Sequence, residues 1–385
     1  MELYIAGGCS EHGRNAFLVN SGSFSFLVDA GIMKEKPEVP WPQLSDEQIR
    51  GASVLFLTHS HADHTGAAEW LIGKGFSGII AASRETFRML PAWPVRTVCL
   101  EDLGGPLEIT DFFPGLKFLW GRSGHCVGSV WYLFCAGGRS VLFSGDYQEY
   151  SAAYRCDEIR DYSADAAVLD CAYGYEKEDA RVHRRQLSEA LDAFALKDGP
   201  LLFPVPSHGR GLDVIRLLEE RGIPVMADTS FEEEIRDEHI RPMWFSESFL
   251  QAVSGISILS LTPVKEAAEK NDTSLMQLVS GRKGILVKDS QLWDPADIRI
   301  AEAVLAAGGN VVLTGKQDPA GYARKLYDEK RAVFCRISVH QNAEEMMRLA
   351  DKNRFGRVIP YHCRQKLVFD RDNIFVLEAG DRVEL

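Results

Sequence analysis

The sequence predicts a two-part α/β protein. Three observations carry this. Residues 1–145 read as short apolar strands separated by turn residues, the pattern of meandering sheets. From about residue 181 the periodicity changes, and strand-length apolar runs alternate with helical stretches, as in a parallel sheet with crossover helices. Residues 335–385 return to strand-and-helix material, so the alternating segment sits inside the chain. A length of 385 residues is sufficient for two cores.

Composition narrows the class. The chain is 45% hydrophobic and 25% charged, as soluble globular proteins are. It has no run of about 18 apolar residues, so no membrane partner is expected. Met1-Glu2-Leu3-Tyr4-Ile5 is acidic and enters a strand directly, without the basic and apolar regions of a secretory leader. Eight scattered cysteines with no CxxC pair read as reduced thiols of a cytoplasmic protein, most of them in the core. A net charge of −12 does not favour a nucleic-acid partner, although bound cations would make one groove locally positive.

In chain order, Leu3–Ala6, Ala16–Val19 and Phe24–Val28 are strands split by Gly7-Gly8 and by Asn20-Ser21-Gly22-Ser23. Asp29 ends the third, either as a turn residue or as support for metal ligands. Residues 45–51 read as a helix, Val54–Leu57 as a buried strand, Thr65–Ile72 as a helix and Gly78–Ala82 as a strand. A second meander fills roughly 95–145. Helices are then expected over 181–196, 212–218, most of 229–252 and 297–307. They alternate with strands at 200–205, 223–226, 284–287 and 310–315. A helix at 343–351 and a strand at 373–377 close the chain.

The chemistry concentrates at Thr58-His59-Ser60-His61-Ala62-Asp63-His64, directly after a buried strand. Imidazole and carboxylate at this density suit Zn²⁺, Mn²⁺ or Fe²⁺ better than Mg²⁺ or Ca²⁺. In an extended segment His59 and His61 point the same way and can share one ion. Asp63 and His64 follow the turn and can face a second. Such a pair of ions needs a third nitrogen for the first and a carboxylate between the two. His125, in the turn Gly124–Ser129, and Asp146, ending the strand Val141–Phe143, supply them.

His-Ser-His-Ala-Asp-His at 59–64, Gly-His-Cys-Val-Gly-Ser at 124–129 and Ser-Gly-Asp-Tyr at 144–147 resemble the successive metal motifs of the metallo-β-lactamase superfamily. That resemblance implies an αββα sandwich with the site at one edge of two packed sheets. An α/β insertion before a final histidine resembles the β-CASP nucleases, the family of ribonuclease J and the endonuclease of messenger-RNA 3′ cleavage. Three further positions fit that family: Asp170 before Ala172-Tyr173-Gly174, His340 in Ile337–Asn342, and His362 after Val358–Tyr361. The implied division is 1–180 with 335–385 as the metallo-β-lactamase domain, and 181–334 as the insertion.

By this resemblance two divalent ions, zinc or alternatively Mn or Fe, are held by His59, His61 and His125 on one side and Asp63, His64 and His362 on the other, with Asp146 bridging. Such a pair lowers the pKa of a water between them and clamps a phosphodiester. Asp63 also helps orient the nucleophile. His340, oriented by Asp170, is the expected general acid, since a neighbouring carboxylate favours the charged form of an imidazole. The expected activity is hydrolysis of single-stranded RNA, with DNA as a further candidate substrate and a homodimer as a further expectation.

Departures from the family pattern keep two alternatives open. Cys171-Ala172 stand where Ser/Thr-Thr is usual, Gln341-Asn342 follow the closing histidine, and Cys363-Arg364 stand where Gly-Glu is common. A glycine-rich groove segment is replaced by Lys288–Pro295. The alternatives are a hydrolase of a non-nucleic-acid substrate and an inactive metal-bearing binding protein. Weaker features are the Ser207–Gly211 loop before a helix, which could meet a phosphate, and the basic cluster Arg181, His183, Arg184 and Arg185, which reads as a solvated helix face. Trp120, Trp131 and Trp293 read as core.

Overall fold

A computed structural model of the chain describes residues 1–196, 199–206, 208–238 and 240–385. The chain divides into two compact units. The first comprises Met1–Glu149, Cys156–Asp179 and His340–Leu385; the second comprises Tyr150–Arg155 and Ala180–Val339. The second unit therefore takes in a short segment ahead of the 181–334 stretch and runs on to Val339. Asp213 explains why that segment belongs there. Its buried carboxylate accepts from Ser151 Oγ at 2.9 Å and from the backbone N–H of Ala152 and Ala153.

The first unit is built on two sheets. One runs Arg382–Glu384, Glu2–Gly7, Ala16–Asn20, Ser25–Val28, Ala52–Phe56, Ile79–Ala82, Thr97–Cys99 in spatial order. The other runs Arg354–Tyr361, Ser163–Asp170, Arg139–Phe143, Val130–Ala136, Leu116–Arg122, Thr110–Phe113. Their inner faces meet through aromatic rings. Phe26 packs on Phe134 with centroids 4.7 Å apart, Phe56 on Phe118 at 5.3 Å and Phe17 on Phe143 at 5.5 Å. Burying side chains of this size supplies roughly 1.5–3 kcal/mol each, enough to hold two sheets face to face.

Each outer face carries helices. Ile49 and Leu71, from Asp46–Gly51 and Ala68–Gly73, pack with Leu18, Leu27, Leu55 and Ile80 of the first sheet. Met346 and Leu349, from Ala343–Asp351, pack with Leu142, Leu169 and Val358 of the second. Asn342 begins that last helix with a reciprocal cap to Glu345. The result is the αββα sandwich.

The second unit is a six-stranded, wholly parallel sheet in the order Ile258–Ser260, Val225–Ala227, Gly284–Val287, Leu201–Pro204, Asn310–Leu313, Ala332–Phe334. Its strands are near-continuous apolar runs, as a sheet covered on both faces requires.

The structure corrects four local expectations. The helix over 65–72 is two short ones, Ala62–Thr65 and Ala68–Gly73. The break falls at Ala67, whose N–H donates to Ala30 O at 2.7 Å while Asp63 O, its helical partner, accepts from Asn15 N at 2.9 Å. Residues 373–377 form no strand: Ile374 makes a single bridge to Val358, and the closing strand is Arg382–Glu384 on the other sheet. Trp120 and Trp131 are core, but Trp293 is 54% exposed. In the basic cluster His183 is buried, with Nδ1 2.7 Å from Ser338 Oγ. Ser207, which opens the expected phosphate loop, lies outside the described residues.

Candidate metal centre

Every residue of the site comes from the first unit, from loops at the carboxyl ends of strands in both sheets. His59 and His61 follow Ala52–Phe56, and Asp63 and His64 lie in the short helix Ala62–Thr65. His125 follows Leu116–Arg122, Asp146 follows Arg139–Phe143 and His362 follows Arg354–Tyr361. In the second sheet Leu116–Arg122, Arg139–Phe143 and Arg354–Tyr361 run the same way, so their carboxyl ends lie along one edge and residues far apart in sequence reach one point.

Two of these turns need glycine. Gly124 has φ +74°, and a Cβ there would lie 2.1 Å from Gln148 O. Gly145, just before Asp146, has φ +55° and would meet Val130 O at 2.7 Å. His362 itself adopts φ 69°, a strained backbone for a bulky residue. Its N–H is anchored to Gly8 O at 2.7 Å, which holds it there.

The donors fall into two sets around one carboxylate. Donor atoms of His59, His61, His125 and Asp146 all lie within 4.8 Å of one another. Asp146 Oδ2 is 3.4 Å from His59 Nε2 and 3.6 Å from His125 Nε2. Asp146 Oδ1 faces the other way, 3.2 Å from His64 Nε2 and 3.1 Å from His362 Nδ1. Asp63 Oδ2 completes this second set, 3.0 Å from His362 Nε2 and 3.9 Å from His64 Nε2.

The residues fit divalent ions on a direct observation. His59 Nε2 and His362 Nδ1 are buried and hydrogen-bond to nothing, although each lies near an Asp146 oxygen. An orphaned buried ring nitrogen is costly unless something else binds its lone pair. Other donors pair among themselves, His362 Nε2 with Asp63 Oδ2 at 3.0 Å and His125 Nε2 with His61 Nδ1 at 3.1 Å, which leaves these two nitrogens aimed at Asp146.

Supporting contacts set the ring orientations. Asp29 accepts from Thr58 N at 2.8 Å and lies 2.7 Å from His64 Nδ1, which turns His64 Nε2 toward Asp146. Asp29 is thus a support for a donor as well as a turn residue, with φ 61°. Asp29→Ala is expected to weaken zinc binding by about 10–100-fold with all seven donors present, read by competition with a chelator. Unchanged affinity would remove Asp29 from the centre.

His340 lies at the rim, its Nδ1 3.1 Å from Asp170 Oδ2 and 3.7 Å from Asp146 Oδ2. Asp170 is fully buried and also accepts from the N–H of Tyr147 and Ala172, each at 3.0 Å. The structure thus brings together all nine residues singled out by sequence. It adds three others. Tyr361 donates its hydroxyl to Asp146 Oδ1 at 3.0 Å, Asn15 Nδ2 is 2.9 Å from His64 Nε2, and His12 stacks on His362 with centroids 4.6 Å apart. The signal for the last two was the loop Gly7–Asn15, a glycine-rich turn between strands that carries ligand-type side chains.

Burial works against ionisation of Asp146, but His64, His362, His340 and His59 outweigh it and hold the carboxyl well below its usual range. Burial likewise opposes charge on His362, yet Asp146 and Asp63 raise it to about 10. His64 is raised well above the ordinary imidazole value against the same burial, by Asp146, Asp29 and Asp63. His59 goes the other way, lowered by burial and by the charge on His64.

The sign of the coupling follows. In the metal-free protein His362 and His64 carry protons at pH 7, and a ligand must give its proton up. Metal loading at neutral pH should therefore release protons from the second set, and affinity should fall as pH falls. Zinc titration by calorimetry in two buffers of different ionisation enthalpy measures this. Proton-neutral loading would contradict it.

Residues 10–189 match the family model of the metallo-beta-lactamase superfamily. Together with the two packed sheets and the donors at their strand ends, this gives the first unit the metallo-β-lactamase fold. That fold implies divalent ions at this site.

Among curated proteins, endoribonuclease YSH1 of Candida albicans is 23% identical over 253 residues, 57% of this chain and 29% of that protein. Cleavage and polyadenylation specificity factor subunit 3-I of Arabidopsis thaliana is 23% identical over 238 residues, covering 56% and 34%. Transcription termination factor FttA of Lokiarchaeum sp. is 23% identical over 249 residues, covering 57% and 39%. The chain thus matches about a third of the length of these relatives. A solved protein of unknown function from Enterococcus faecalis V583 superposes over 100% of this chain and 99% of its own with a TM-score of 0.64 at 10% identity, a likeness of fold.

Proposed function

We propose that this chain is a metal-dependent ribonuclease of β-CASP type that hydrolyses phosphodiester bonds of single-stranded RNA. The observation that carries this is the placement of Asp146, whose two oxygens face two separate donor sets with His340 at the rim. Relatives named as an endoribonuclease and as a cleavage factor support RNA as the substrate and internal cleavage as the mode.

In this reading His59, His61 and His125 hold one ion, Asp63, His64 and His362 the other, and Asp146 both. Bound there, divalent ions supply a water of lowered pKa and positive charge against the phosphodiester oxygens. An imidazole-rich set with carboxylates suits zinc, with Mn or Fe as alternatives.

The chain's own residues do the rest. Asp63, whose side chain is 26% exposed, is the carboxylate of the set that reaches the open side, where it can orient an attacking water. Asp170 holds His340 through Nδ1, which leaves Nε2 to deliver a proton to the departing oxygen. The buried contacts of Asp170 fix that geometry before substrate arrives. A cytoplasmic setting goes with this reading, supported by eight cysteines that form no disulfide.

The test is cleavage of end-labelled single-stranded RNA and DNA by metal-reconstituted protein, with Asp63→Ala in parallel. Cleavage of RNA that is lost in the variant supports the proposal, and the product ladder separates internal from end-directed attack. Two bound ions with no cleavage of either polymer would favour a hydrolase of another substrate, the alternative that Lys288–Pro295 keeps open.

A further inference from the structure

We infer that His12 is an additional ligand of the second ion pocket, supplied by the loop after the first strand. This rests on the two-ion reading above and extends it by a residue outside the motifs at 59–64, 124–129 and 144–147.

The geometry is direct. Donor atoms of His12, Asp63 and His362 all lie within 4.8 Å of one another. The His12 ring is stacked on the His362 ring, with centroids 4.6 Å apart and planes inclined by 22°. A surface histidine in a loop is ordinarily uninformative. This one lies over a buried donor and beside the most exposed carboxylate of the set.

The loop is built to hold it there. Arg14 clamps Glu11 with two contacts, Nε at 2.7 Å and Nη2 at 2.9 Å, and also donates to the carbonyls of Val39 and Trp41. Glu11 Oε1 accepts from Gly8 N at 3.0 Å, and Ser10 Oγ donates to Leu377 O at 2.8 Å. Asn15 N donates to Asp63 O at 2.9 Å, so the loop is tied to the ligand segment itself. Ser10 and Arg14 have φ of 54° and 42°, and this network over-determines those conformations. Glu35, paired with Arg364, is the nearest carboxylate behind the ring, 4.0 Å from His12 Nδ1 and beyond hydrogen-bond distance.

The chemical consequence is a difference between the two pockets. The first offers three imidazoles and one Asp146 oxygen. With His12 the Asp63 side of the second offers two imidazoles and a carboxylate within 4.8 Å of one another, with His64 Nε2 3.9 Å from the same Asp63 oxygen, a nitrogen-rich set. Such a set favours zinc, cobalt or nickel over magnesium or manganese. His12 sits on the solvent side, 41% exposed, where it can yield its position to a substrate oxygen.

The experiment uses full-length protein stripped of metal and titrated with Zn²⁺ against a chromogenic chelator. Wild type, His12→Ala and His12→Phe are compared. His12→Phe keeps an aromatic ring on His362 and removes the nitrogens, so it separates ligation from stacking. The expected result is two ions in each protein, with one affinity unchanged and the other weakened about tenfold or more in both variants. The absorption of the Co²⁺-loaded protein should change in the same variants. Wild-type affinities for both ions in His12→Phe would overturn the inference, as would weakening in His12→Ala alone. Fewer than two ions in the wild type would overturn the two-ion reading itself.

Discussion

His340→Ala is expected to lower turnover by about 10²–10⁴-fold while leaving metal content at the wild-type level. The separation of the two readouts is the point. His340 contacts Asp170 at 3.1 Å but stands 3.7 Å from Asp146, and its side chain is 14% exposed against 3% or less for His59, His64, His125 and His362. Its neighbours also admit a competing role, because donor atoms of Asp146, Asp170, His340 and His362 lie within 4.8 Å of one another. Loss of an ion in His340→Ala would make it a ligand and end the acid assignment. Asp170→Asn should follow the same pattern, with turnover reduced and metal retained, since that carboxylate touches His340 and the backbone but neither orphaned nitrogen.

Asp146→Asn is expected to have the larger effect on metal. Both donor sets depend on this one side chain, which is 1% exposed and contacts His59, His64, His125, His362 and Tyr361. The amide keeps the volume but loses the charge that offsets two buried imidazoliums. Both ions should weaken by more than the roughly 10–100-fold that follows loss of an outer support, and RNA cleavage should fall to background. Ion content by atomic absorption, measured beside the melting temperature, decides it. Retention of two ions at wild-type affinity would show that the two sets are independent and that Asp146 bridges nothing.

Parts of this molecule were legible because their signals are local. The buried strand before His59, the glycines around His125 and the strand ending at Asp146 each declare themselves within a few residues. Alternating strands and helices after residue 200 likewise identified a parallel sheet. What was misread also has local causes. Thr65–Ile72 has helical spacing, yet the Ala67 N–H and the Asp63 carbonyl are drawn to Ala30 and Asn15, which interrupts one continuous helix. Asn373–Leu377 has strand composition, but only Ile374 finds a partner strand. Trp293 reads as core by residue type alone, and nothing in its neighbours along the chain reveals that it faces outward.

By itself, then, the sequence determined the residue types and the order in which they appear: a ligand-rich strand end, a histidine and an aspartate downstream, and an inserted α/β segment. Periodicity and turn chemistry act over a few residues, so they are readable from a window. Only the tertiary structure decided which donors share a pocket. Asp146 splits its oxygens between two sets, Asp29 turns His64, and His12 meets His362 from the opposite end of the chain. Those relations depend on strand register and sheet packing, which bring positions 12 and 362 together with nothing in the intervening residues to announce it.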